Sequence, residues 1–137
     1  MEQRKKTDLR QDVSDFLYLL GFNEAELDPL IGIAIRMVEE IILNETNQDC
    51  LPEGLRMTVI YRAAGQYMFL KKERGQLSEA EEGAAEFGIV KRIKEGDTDI
   101  TYAVHDELTP GQRFDAVVKE LMGAGEQQVA RYRRLIW

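Results

Sequence analysis

DPLIGIAIRMVEEIILN, residues 28–44, is the most apolar stretch of the chain, and whether it crosses a membrane or packs in a core decides the fold class. A membrane-spanning helix needs about 20 predominantly apolar residues, and Arg36, Glu39 and Glu40 interrupt this one. It is therefore read as a core helix. Asp28-Pro29 supplies an N-cap followed by proline at N1, and Leu30, Ile31, Ala34, Ile35, Val38, Ile41 and Ile42 recur at helical spacing to about Asn44. Ile33 and Met37 widen the apolar stripe until only a narrow polar edge remains, which predicts the central helix of the domain.

Three more helices flank it. Upstream, Leu9, Val13, Phe16, Leu17 and Leu20 predict a helix over roughly 8–20, with Thr7 as N-cap and Gly21 as the stop. Downstream, LPEG (51–54) places Pro52 near the start of a third helix. Leu55, Val59, Ala63, Tyr67 and Leu70 form one row of it, and Met57, Ile60, Tyr61, Ala64 and Met68 a second. Ala63-Ala64-Gly65 sits in its middle, where glycine costs about 1 kcal/mol relative to alanine unless another backbone must come close. Lys71, Lys72 and Arg74 suit its C-terminal dipole, and Gly75 ends it. The fourth helix opens on a capping box, Thr109-Pro110-Gly111-Gln112, and continues through Phe114, Val117, Val118, Leu121 and Met122. Gly123-Ala124-Gly125 then breaks it, separating off EQQVARYRRLIW.

One segment departs from helical periodicity. IVKRIKEGDTDITYAV, residues 89–104, predicts a β-hairpin turning at Gly96-Asp97 in a type II′ loop. That register pairs Ile93 with Ile100 and Lys91 with Tyr102 on one face, and Lys94 with Asp99 and Arg92 with Thr101 on the other. Two strands alone are marginal in water, so the hairpin needs a partner surface. Residues 73–88, ERGQLSEAEEGAAEFG, carry no helical apolar stripe and are expected to form a mobile acidic loop. The expected fold is mainly α: one domain over residues 1–137, with a four-helix core and an inserted hairpin.

Composition narrows the chemistry. With 137 residues and 44% apolar content, the chain suits one soluble globular domain. Lys and Arg total 18 against 25 Asp and Glu, and the formal charge of −7 disfavours sequence-specific DNA binding. The start, MEQRKKTDLRQD, has no apolar region behind it and does not read as a signal peptide, and no membrane contact is expected. Cys50 is the single cysteine and reads as a small buried or half-buried residue; His105 is the single histidine and reads as a surface or hairpin-end residue. GDTD (96–99) does not fit an EF-hand loop, and no phosphate-binding, zinc-protease or nucleophile-elbow motif occurs. No catalytic residue, metal site or cofactor is expected.

The order of these pieces is similar to a known family. A helix ending LLG, an Asp-led helix ending LNETN, then LPEGLRMTVIYRAAGQYMFLKK, then VKRIKEGDTDITYA, and finally RYRRLIW resemble the small head-tail connector proteins of long-tailed bacteriophages and prophages, also called DNA-packaging or head-completion adaptors. The resemblance runs from about Leu9 to Trp137, and IKEGDT and RRLIW carry most of it. It implies a helical protein without enzyme activity. Such a protein is made in the host cytoplasm and resides at the head-tail interface of the virion, in a ring, commonly twelvefold, beneath the portal. Its implied partners are the portal protein, a tail-side connector or stopper protein, and copies of itself, with DNA passing non-specifically through the channel. An acidic ring suits a channel that must not hold DNA, although acidity also simply keeps proteins soluble.

Two groups of residues become candidate interfaces. Arg131, Tyr132, Arg133, Arg134, Leu135, Ile136 and Trp137 combine three cations with three large apolar groups and are expected to dock on the portal, loosened from the fourth helix by the glycine break. The alternative is a last helical turn with Trp137 folded onto the third helix. Lys91, Ile93, Lys94, Gly96, Asp97, Asp99, Ile100 and Tyr102 of the hairpin are expected to meet a neighbouring subunit or line the channel, or else to fold back on the domain. No long apolar face is left unassigned, so ring contacts are expected to be polar and modest in area. The competing reading is a small helical regulatory or neutralising module that binds one basic protein partner.

Overall fold

The computed structural model describes residues 2–78, 81 and 109–134. These residues are mainly helical, and none of them lies in a strand. The helices are α1 (Glu2–Leu19), α2 (Pro29–Thr46), α3 (Arg56–Glu73), α4 (Pro110–Met122) and a short α5 (Glu126–Arg131), with single 3-10 turns at Ala25–Leu27 and Glu53–Leu55. The expected hairpin at 89–104, with Lys91, Ile93, Lys94, Gly96, Asp97, Asp99, Ile100 and Tyr102, lies outside the described residues, as does His105.

Caps fix the helix ends. Asp28 accepts the Leu30 amide at 3.0 Å ahead of Pro29, and Thr109 and Gln112 close their capping box reciprocally. Gly21 (φ 98°) ends α1 in a Schellman motif: its amide reaches the Tyr18 carbonyl, the Phe22 amide reaches that of Leu17, and both Phe22 and Leu17 are buried. Gly75 (φ 70°) repeats the pattern after α3, with Gln76 donating to Lys71 and Gly75 to Lys72. The starts differ from expectation. Thr7 lies inside α1, which begins at Glu2, and Pro52 precedes a 3-10 turn rather than opening α3.

The hub of the domain is α3, not α2. It packs against α1, α2 and α4, and it is buried at Thr58–Ile60 and again at 63–68. On α2, Ile33, Met37 and Ile41 remain 41%, 37% and 47% exposed, so a row of large apolar groups that the sequence assigned to the core faces outward. Small size explains the reversal. A Cβ built on Gly65 would stand 2.8 Å from the Leu121 Cβ and 3.1 Å from the Met122 backbone nitrogen, so α4 approaches α3 more closely than any side chain at that position would allow. Counting large apolar residues favours α2, whereas close packing on several sides selects the helix with the small ones.

The core is one cluster to which every helix contributes. It includes Val13, Leu17 and Leu20 of α1, Ile31, Ala34 and Ile42 of α2, Val59, Ala63 and Tyr67 of α3, Phe114, Val117 and Leu121 of α4, and Val129 of α5. Phe22 links the elements, meeting Tyr67 edge-on at 5.9 Å and Phe114 at 6.5 Å between ring centroids. Ion pairs tie α3 to each of its neighbours: Arg56 to Asp12 at 2.7 Å, Arg62 to Glu45 at 3.9 Å, and Lys72 to Asp115 at 2.5 Å.

Candidate functional site

The C-terminal arginines sit at the end of α2. Its last carbonyls need partners, and the segment after α5 supplies them. The Arg134 amide donates to the Thr46 carbonyl at 2.7 Å, and the Arg133 Nε donates to the Glu45 carbonyl at 3.1 Å. In return, the Asn47 and Gln48 side chains donate to the carbonyls of Arg134 and Tyr132 at 2.8 and 2.7 Å. Asn47 does so from a left-handed C-cap, φ 56°. A cation beside a helix C-terminus also meets the favourable end of its dipole.

The glycine break fastens this piece instead of loosening it. Ala124 is buried, and its carbonyl accepts from the Arg62 Nε at 2.7 Å. Gly125 takes φ 73° and lies so close to Thr58 that a Cβ there would overlap the threonine side chain. Tyr132 covers Gly54, leaving no room for a side chain there either. Arg131 through Arg134 are exposed, with Tyr132 at 36%. Leu135, Ile136 and Trp137 lie outside the described residues.

Beside this segment runs an open groove of about 580 Å³, lined by Met122, Val129 and Ala130 with Arg62, Arg133, Glu45 and Glu126 among its charged residues. Arg62 stands 3.9 Å from Glu45, which offsets that carboxylate. A smaller cleft adjoins it, where Ile41 and Val38 meet Met122 and Gln66. At the other end of α2, the connection from α1 exposes Leu27 at 87%, with Glu24 and Glu26 exposed beside it; Tyr18 and Leu19, in the last turn of α1, are 63% and 64% exposed.

That acidic end is rigidly built. The Tyr67 hydroxyl donates to Asp28 at 3.0 Å while the other oxygen of the carboxylate caps α2. Burial, and then the bond to Asp28, raises the Tyr67 phenol well above its ordinary value. Ser78 and Glu81 exchange side-chain-to-amide bonds at 3.1 Å, the reciprocal pair of a capping box, and Lys71 donates to the Glu81 carboxylate. Burial pushes the Glu81 carboxyl up, but the bonds from Lys71 and the Ser78 amide outweigh it and hold the group below its ordinary value. These residues belong to the stretch expected to be a mobile acidic loop. Of that stretch residues 73–78 and 81 are described, and the S-x-x-E spacing of Ser78 and Glu81 was the signal for these two bonds.

Among the described residues, no group of three or more His, Cys, Asp and Glu is placed to hold a metal ion, and no helix is long and apolar enough to cross a membrane. Cys50 is exposed, contrary to the buried or half-buried position expected of it. Comparison with protein families, with curated proteins and with solved structures finds no match to this chain.

Proposed function

We propose that this protein is a structural adaptor of a tailed phage or prophage, assembling as a ring beneath the portal, joining capsid to tail and continuing the DNA channel. The order of motifs carries the reading: LLG, LNETN, LPEGLRMTVIYRAAGQYMFLKK, IKEGDT and RRLIW follow one another in this chain in an order that resembles head-tail connectors. The helical fold of the described residues is of the kind that resemblance implies. Exposed Leu27, Tyr18 and Leu19 at one end of α2, and an open groove at the other, give the subunit more than one surface suited to protein contacts.

The portal is the proposed partner of residues 131–137. Because the segment is anchored to α2 as far as Arg134, residues 135–137 continue from a fixed point on the domain. The test is capture by the purified portal protein of the phage or prophage that encodes the chain, followed by negative-stain microscopy. A ring added beneath the portal is expected. Removing Leu135–Trp137 should leave far-UV circular dichroism and Tm nearly unchanged and abolish capture. A full-length protein that ignores the portal and instead binds one basic protein at one-to-one stoichiometry would select the regulatory-module reading.

A further inference from the structure

We infer that the two ends of α2 are complementary halves of a head-to-tail contact: Leu27, flanked by Glu24 and Glu26, inserts into the groove of Met122, Val129 and Ala130 on a second copy of this chain, beside that copy's Arg62 and C-terminal arginines. The inference deepens the ring reading by naming the subunit contact. It adds a neighbouring-subunit contact for Arg131, Arg133 and Arg134 to the portal contact proposed for residues 131–137.

Shape comes first. Leu27 is 87% exposed on a 3-10 turn held between α1 and α2, a conspicuous position for a leucine in a domain with a well-filled core. The Arg10 guanidinium fixes that turn by donating to the Glu26 carbonyl at 3.1 Å, and Asp28 fixes its exit. Leu27 is thus presented on a rigid corner, so little ordering entropy opposes its insertion. The groove is open and of mixed character, with Met122, Val129 and Ala130 set among its charged residues, and its volume of about 580 Å³ leaves room for a leucine side chain.

Charge gives the pairing its direction. Glu24 and Glu26 flank the knob, with Arg10 the cation beside them. Within the groove, Arg62 and Arg133 face Glu45 and Glu126, two cations against two carboxylates, and the cationic excess comes from exposed Arg131 and Arg134, which flank Arg133 in the same segment. Neither Arg131 nor Arg134 has a side-chain hydrogen bond or ion pair among the described residues. Like ends therefore repel and unlike ends attract, which specifies head-to-tail over two-fold pairing. The surfaces lie at opposite ends of an 18-residue helix about 27 Å long, so one subunit can engage two neighbours at once.

The test uses the protein alone, so its outcome is separate from portal capture. Sedimentation of the full chain at low salt, with concentration raised toward the millimolar range, should show wild-type mass increasing. Leu27→Asp removes the knob, and the double variant Arg131→Glu, Arg134→Glu removes the receiving charge; each alone should remain monomeric, with unchanged circular dichroism. Mixed one to one, they retain one intact knob and one intact groove, and the mass should double and rise no further. Should Leu27→Asp lose its fold, Glu24→Lys with Glu26→Lys replaces it. A wild-type protein that stays monomeric throughout, or variants that each self-associate like wild type, for instance through the Ile33, Met37, Ile41 row, would overturn the inference. So would a mixture that remains monomeric.

Discussion

Replacing glycine by alanine at two positions, each inside a helix, should move stability in opposite directions. In an exposed helix interior the change gains about 1 kcal/mol from backbone entropy. At Gly65 the new Cβ would stand 2.8 Å from the Leu121 Cβ, 3.0 Å from the Met122 Cγ and 3.1 Å from the Met122 nitrogen. Carbon atoms rest at about 3.5–4.0 Å, so α4 must retreat by roughly 0.7 Å, and no rotamer change can relieve a clash with a Cβ and a backbone nitrogen. Overpacking of this kind costs about 1–3 kcal/mol, and the retreat loosens buried Leu121 as well, so Gly65→Ala should be destabilised by about 1–2 kcal/mol net. At Gly32 in α2 the Cβ would meet only the Arg10 Nη1, at 3.1 Å, the tip of a flexible side chain. Allowing for a weaker Arg10 to Glu26 bond, Gly32→Ala should be stabilised by about 0.5 kcal/mol. Urea unfolding followed by circular dichroism measures both. If Gly65→Ala is stabilised as much as Gly32→Ala, the close approach of α3 and α4 is wrong, and with it the assignment of α3 as hub.

Asp28→Ala removes the α2 cap and the acceptor of the Tyr67 hydroxyl together, and should cost about 2–4 kcal/mol; Tyr67→Phe should cost much less on that background than in wild type, as a double-mutant cycle by urea unfolding reports. The Glu81 carboxyl is held below its ordinary value of 4.5, so its contribution is present above that value and is lost as pH falls through the lower folded value. The stability difference between wild type and Glu81→Gln, measured by urea unfolding from neutral to acid pH, should therefore shrink in acid; a difference that grows there would mean that the Lys71 bond does not outweigh burial.

What the sequence made legible was what local chemistry determines. Asp28-Pro29, Gly21, Gly75 and the Thr109 box mark helix ends because each acts within a few residues of itself. The hub was not legible from apolar counts, since α3 earns its place through Ala63, Ala64 and Gly65, and the helix that meets Gly65 starts 45 residues later in the chain. The outward face of α2 was misassigned for the complementary reason: Ile33, Met37 and Ile41 are apolar, and only the placement of the other helices decides which stripe is covered. At the C-terminal segment the residue types were picked out but not their attachment. Arginines after a helix suggest a dipole contact with their own helix, whereas here they and the backbone around them close the end of α2, nearly 90 residues away in sequence.

That attachment bears on how a ring would assemble. The groove proposed to receive Leu27 and the segment proposed to lead to the portal meet at Arg133, which lines the groove and bonds the end of α2. If both proposals hold, Arg134, after which residues 135–137 follow in sequence, lies near where two subunits meet, and whatever holds the chain end also steadies the junction. A weak contact between subunits then becomes a strong one on a template, because each subunit is held by its neighbour and by the portal at once, and the second engagement is effectively intramolecular. A groove of this size with a single leucine knob fits such a contact better than it fits a ring that persists in free solution. The two surfaces remain separable by experiment. Removing Leu135–Trp137 should abolish portal capture while leaving the concentration-dependent association of the free protein as it is in wild type, since Leu27, Glu24, Glu26 and the anchored arginines are untouched.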